Sequence, residues 1–341
     1  MEHLKHTPFE NEKIIGNNPE SEKEEILTKR EAGFYNGFLI KNGERRKTGE
    51  DLRIIDLSSQ MSDKILEEYG LPKIEVPERI IHIIEEQGWP PYAAGCASFF
   101  DARELSVNVR DTPFKMELAK HIVHEMIHLK SFHVFRLYEF HGEPFVYERS
   151  VGINCVTFEG KKLFFNLDEA ITEELAIKIC QKMFGEKIFK KENDETKKIM
   201  NSNPRSIIDV DNSPKNQQDI YAVRYLGNNK DSGYLKRVIE ALKRDKAPKE
   251  VEKQYFSYPV ERKILNILID KILMSGENEF FNRDQVFNEF AKAMLTGNVR
   301  KVIKLIDDNF GTGTAQKIEK LENNADEQLK LVEALPLVSK K

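Results

Sequence analysis

The string His124-Glu125-Met126-Ile127-His128 constrains the fold more than any other part of this sequence. It lies in a stretch, from about Pro113 to Phe132, where Leu118, Ile122, Val123, Met126, Ile127 and Leu129 supply a broad apolar surface at helical spacing. At about 100° per residue, histidines four positions apart project from one helical face and can grip a single metal ion. Glu125, following the first histidine, can reach a water bound to that metal. A core helix carrying such groups needs another element to complete the site.

A hydrolytic metal centre requires a third protein ligand and an open position. The segment from Leu167 to Leu175 reads as a helix in which Glu169 and Glu173 stand four apart on one face, opposite Ile171 and Leu175. One of these carboxylates can ligate while the other bonds a ligating histidine from outside, fixing its tautomer. The competing local reading is a capping box, with Glu169 bonded back to the N–H of Asn166 and with Glu173 and Glu174 as solvated helix charges.

The two segments together resemble the paired zinc-binding helices of the gluzincin metallopeptidases, the thermolysin-like branch. The resemblance covers the chain from the start of the first helix to the end of the second. It implies one zinc ion held by His124, His128 and Glu169, Glu125 as general base and then acid, and Glu173 as the outer partner of a ligating histidine. It also implies an α+β zincin-like catalytic domain that hydrolyses peptide bonds, an endopeptidase before an exopeptidase. The gap from His128 to Glu169 is longer than in thermolysin itself, and an inserted hairpin accounts for it, since surface insertions cost little loop entropy.

Other third ligands are open to test. A metzincin needs glycine and histidine where this chain has Ser131 and Val134, which excludes that class. His141-Gly142-Glu143-Pro144-Phe145 resembles the histidine-glycine segment of Spartan-like proteases, making His141 the alternative ligand. His133, five residues past His128, is expected at the surface, and His121 on the metal-facing side of the helix. A different class of function stays open as well: a catalytically silent metal-binding interaction protein on the same fold, or zinc hydrolysis of a non-peptide amide.

The rest of the chain bounds the setting. With 53 basic and 57 acidic residues among 341, the charges are balanced and interspersed, so nothing points to nucleic acid or to an anionic membrane. Three widely spaced cysteines, Cys96, Cys155 and Cys180, argue against a disulfide framework, and no apolar run resembles a signal sequence or a membrane span. The expectation is a cytoplasmic protein with a peptide or protein substrate and an oligomeric state that the sequence does not reveal. Its organisation reads as a disordered or loosely attached segment 1–30, a catalytic domain 31–185, a polar linker or cleft loop 186–218, and a helical C-terminal portion 219–341.

Within that frame, Pro77 to Ile84 reads as a helix ended near Gly88. Leu105 to Arg110 alternates at period two and reads as a half-buried strand. Zincins commonly lay an extended peptide along the strand before the motif helix, which nominates Ser106, Val107, Asn108 and Val109 as a substrate edge. Val151 to Phe158 and Lys162 to Phe165 read as a hairpin, and Leu167 to about Phe184 as the second helix. Further helices are expected at Gly233–Lys243, Pro259–Met274, Arg283–Leu295, Val299–Phe310 and Thr314–Leu335. Gluzincins use a downstream tyrosine or histidine to stabilise the oxyanion; Tyr221, Arg224 and Tyr225 are candidates after the linker, with His141 and Tyr147 behind them.

Overall fold

A computed structural model describes residues 12–15, 20–36, 41–102, 104–112, 114–140, 143–157, 159–192, 194, 258–275 and 280–336. In chain order these form β1 (Glu12–Ile15), α1 (Glu20–Asn36), α2 (Gly49–Glu68), β2 (Ile81–Ile84), β3 (Ser98–Asp101), β4 (Ser106–Arg110) and α3 (Lys115–Lys130). There follow β5 (His133–Phe140), β6 (Glu143–Val151), β7 (Asn154–Val156), β8 (Lys162–Leu163) and α4 (Phe165–Met183). The described C-terminal elements are α5 (Pro259–Met274), α6 (Arg283–Leu295), α7 (Val299–Phe310), α8 (Thr314–Lys320) and α9 (Ala325–Ala334). Helices with two small sheets make a mixed architecture in line with the α+β class. Among the described residues no helix is long and apolar enough to cross a membrane.

A three-stranded sheet, ordered β2-β4-β3, lies against α3, with β2 parallel and β3 antiparallel to the central β4. Two expectations are corrected here. The run Ile81-His82-Ile83-Ile84 is a strand, preceded only by a single 3-10 turn at Glu78–Ile80. All four of its residues are buried, and a strand covered on both faces is a continuous apolar run that periodicity does not separate from a helix. The second correction concerns Ser106, Val107, Asn108 and Val109, all buried, whose strand has neighbours on both sides and so presents no edge. The outer position belongs to β3.

The other sheet has five strands in the order β1-β5-β6-β7-β8. The long β5–β6 hairpin was not foreseen, whereas the short β7–β8 pair falls inside the predicted hairpin. Part of segment 1–30 belongs to this sheet. Glu12–Ile15 pairs in parallel with His133–Arg136, Ile14 is buried beside Phe135, and Arg30 of α1 places its guanidinium 4.1 Å from the centre of the Phe135 ring. The charge-rich composition conceals this because the strand's hydrogen bonds come from a partner more than a hundred residues away.

Helices α5, α6 and α7 begin and end where the sequence places them. Their starts are local: Pro259 opens α5, and the side chains of Asn282 and Asn298 cap α6 and α7 by accepting from Gln285 N and Lys301 N. The expected last helix is two helices, since Asn324 caps a fresh start at Ala325. All five C-terminal helices share one apolar core with α2, α3, α4 and the three-stranded sheet. The helix expected at 233–243 lies outside the described residues.

That shared core holds ion pairs. Arg262 of α5 is fully buried and donates from Nε to Glu174 Oε1 at 2.8 Å, tying α5 to α4. Lys130, equally buried, joins α3 to α2 through Ser59 O, Ser62 Oγ and Asp63 Oδ1, the last at 2.6 Å. Glu174 is therefore a core charge rather than a solvated one, and losing its partner leaves it uncompensated. Arg262→Met is expected to cost about 3–5 kcal/mol in urea denaturation, while Arg262→Met with Glu174→Met recovers most of it. Equal midpoints for wild type and Arg262→Met would refute this account.

Candidate metal centre

Helices α3 and α4 pack side by side, and their facing surfaces carry the predicted ligands. His124, His128 and Glu169 are all buried, and one ligand atom from each can be chosen so that all lie within 4.8 Å of one another. Glu169 Oε2 is 3.2 Å from His124 Nε2 and 3.5 Å from His128 Nε2. Ligand atoms set tetrahedrally about 2.0–2.1 Å from a zinc ion stand about 3.3 Å apart, so this donor set fits a zinc ion with a position to spare. The capping-box alternative fails, because the N–H of Asn166 donates to Glu322 and Glu169 is turned to the histidines.

Electrostatics binds the cluster tightly. Burial disfavours a charged His124, yet its hydrogen bonds to Glu169 and Glu173 and the nearby Glu125 charge prevail and raise its pKa to about 10. Burial likewise works against Glu169, but the charge of His128 and the hydrogen bonds from both histidines hold its carboxyl far below the ordinary range. In the absence of metal the histidines are thus proton carriers to Glu169, and a metal must displace those protons.

Each histidine also has a carboxylate behind its Nδ1. His124 Nδ1 donates to Glu173 Oε2 at 2.9 Å, and Lys120 Nζ reaches Glu173 Oε1 at 2.6 Å. Glu173 is completely buried. His128 Nδ1 lies 3.6 Å from Asp168 Oδ2, and Asp168 accepts at Oδ1 from the N–H groups of Ile153 and Asn154 at 2.8 and 3.3 Å. Gly152 makes that contact possible: at φ +57 it takes a backbone that favours glycine, and a Cβ there would collide with Asp168 Oδ1. Asp168 was in view in the sequence but had no assigned role, because the turn that holds it precedes it by 14–16 residues.

His133 is the reverse of the surface residue expected. It is 1% exposed, and its Nε2 donates to the His128 carbonyl at 2.8 Å just where α3 ends. Burial holds it neutral, with its pKa lowered to about 4. His121 is buried as well, but not among the residues that line the cleft.

The ligands open onto a cleft of about 260 Å³. Glu125 lines it and accepts at Oε1 from Ser98 Oγ at 2.6 Å, so β3 forms the part of the cleft wall beside Glu125. Phe99, Phe100, Val151 and Phe165 supply apolar lining, and the free thiol of Cys96 stands in the same cleft. Tyr258 covers the other side. Its ring stacks on His124 at 5.7 Å and 14°, and burial together with the nearby Glu169 and Glu125 charges keeps its hydroxyl protonated. Sequence reading missed Tyr258, whose one local signal is its place directly before the helix-opening Pro259. Tyr221, Tyr225, Arg224 and His141 lie outside the described residues.

No protein-family model, curated protein or solved structure matches the chain.

Two outcomes check the centre. Purified wild type is expected to retain about one zinc per chain after dialysis against a weak chelator, Glu169→Ala to lose it, and His141→Ala to keep it; loss confined to His141→Ala would reassign the third ligand. Because His124 carries a proton up to about pH 10 without metal and the His128 pKa is raised as well, binding releases at least one proton, and zinc affinity should rise at least about tenfold per pH unit between pH 6 and 8. A pH-independent affinity from chelator competition would contradict the proton-bridged geometry.

Proposed function

We propose that the protein is a zinc-dependent metallopeptidase of the gluzincin type with a zincin-like catalytic unit, and that it cleaves within polypeptides. The observation carrying this reading is the convergence of His124, His128 and Glu169 at a cleft where Glu125, on the same helix, has one oxygen bonded to Ser98. Two imidazoles and one carboxylate also serve ferrous iron in other folds. A carboxylate one residue from the first ligand, lining the open side, favours hydrolysis instead.

Zinc held there would supply Lewis acidity and bring the pKa of a water down to about 7. Glu125 then acts as the proton carrier. Ser98 fixes one of its oxygens, leaving the other to take the proton of the attacking water and to hand it to the departing amine nitrogen. The hydroxyl of Tyr258, protonated and beside Glu169, donates to the carbonyl oxygen as negative charge develops on it. The ring of Tyr258 and the apolar residues of the cleft exclude bulk water and strengthen both interactions.

A peptide substrate suits the wall of the cleft. Among the described residues β3 has no strand on its outer side, the side on which an extended chain would pair. Phe99 and Phe100 on that strand and Phe165 on α4 offer apolar contact to side chains near the scissile bond.

Glu125→Gln should keep its zinc and lose about 10²–10⁴-fold in cleavage of a denatured protein or peptide library, read by mass spectrometry. Equal cleavage by the two proteins would exclude this mechanism. Tyr258→Phe should also keep zinc while kcat falls about 10²–10³-fold, and an unchanged kcat would remove Tyr258 from the reaction.

A further inference from the structure

The two carboxylates behind the histidines are held in different ways. Asp168, in the first turn of α4, is clamped by two backbone N–H groups of the turn after β6. Glu173 lies one helical turn further along α4, where the helix's own N–H groups are committed to its hydrogen bonds and none is left to hold a side chain. On its Oε1 a side chain, Lys120, takes the place that backbone N–H groups take on Asp168. Lys120 precedes His124 by one turn of α3, so both project from the same face toward α4. The Lys120 side chain is 4% exposed, that of Glu173 is 0% exposed, and their charged atoms meet at 2.6 Å.

Packing alone does not call for this arrangement. Burying an ammonium and a carboxylate carries a desolvation cost of several kcal/mol per ion, and apolar residues of similar volume often serve a core as well or better. The pair earns its place through what the second oxygen does: Glu173 Oε2 accepts from His124 Nδ1 at 2.9 Å, which commits the opposite nitrogen, Nε2, to the side where Glu169 Oε2 stands. We propose that Lys120 is a positioning residue for the metal, fixing the Glu173 carboxylate against His124 Nδ1 so that His124 presents Nε2 as a ligand. Lys120 touches neither substrate nor metal and acts through Glu173. This rests on the metal site proposed above.

A double-mutant cycle on zinc affinity, measured by chelator competition, tests it, with the visible spectrum of the cobalt-substituted protein as a second readout. Lys120→Met should weaken zinc binding about 10–100-fold and alter the cobalt bands. Lys120→Arg, which keeps the charge and the donors, should restore most of the affinity. In the Glu173→Gln background, Lys120→Met should cause no further loss, because its effect runs through Glu173. Affinity within about twofold of wild type for Lys120→Met, or the same loss with and without Glu173, would overturn the proposal. If Lys120→Met alone does not fold, the variant lacking both charges decides: affinity no weaker than Glu173→Gln supports the role, and a further drop overturns it. Wild type that binds no zinc would instead defeat the metal site itself, which separates the two failures.

Discussion

Everything at the cleft depends on burying charge between α3 and α4. His124 and His128 on one helix and Asp168, Glu169 and Glu173 on the other are withdrawn from water together. None of them could be buried singly in its charged form at tolerable cost. They are tolerated because each meets a complementary group: Glu169 bridges both histidines, Glu173 joins His124 to Lys120, and Asp168 takes two backbone N–H groups. Such a network is costly when partly satisfied and rigid when complete.

The surrounding fold holds those two helices in register. The three-stranded sheet backs α3, while α5 to α9 continue the same apolar core over α4. Buried polar ties fix the seams: Arg262 to Glu174, Lys130 to Asp63, and Asn166 Nδ2 to Glu322 O and Gln328 Oε1. Among the described residues, the C-terminal helices therefore complete the core around α4 rather than packing about a core of their own. Tyr258, directly before α5, makes the same point from the cleft side: a residue far along the sequence closes over His124.

Much of the centre was legible because helical spacing is a local property. His124 and His128, or Glu169 and Glu173, share a face in any helix, and the apolar residues around them mark those helices as buried. The capped starts of α6 and α7 were legible for the same reason. The reading failed where the deciding contact was distant. Ile81–Ile84 is a strand because β4 pairs with it, and Ser106–Val109 is interior because β3 takes the outer side. His133 was misplaced because extending α3 by period ignored the chain's turn into β5 at Ser131, which brings the ring back onto the His128 carbonyl.

By itself, then, the sequence determined the donors and their spacing on two amphipathic helices, since both follow from residue identity and the period of the backbone. Tertiary structure alone decided that the two faces meet, that Asp168 and Lys120 complete the set behind the histidines, that β3 and not β4 walls the cleft, and that Tyr258 covers it. Those outcomes depend on strand order, on the approach of helices across a shared core and on the cost of burying unpaired charge. Such quantities belong to pairs of segments far apart in the chain, and no local pattern encodes them.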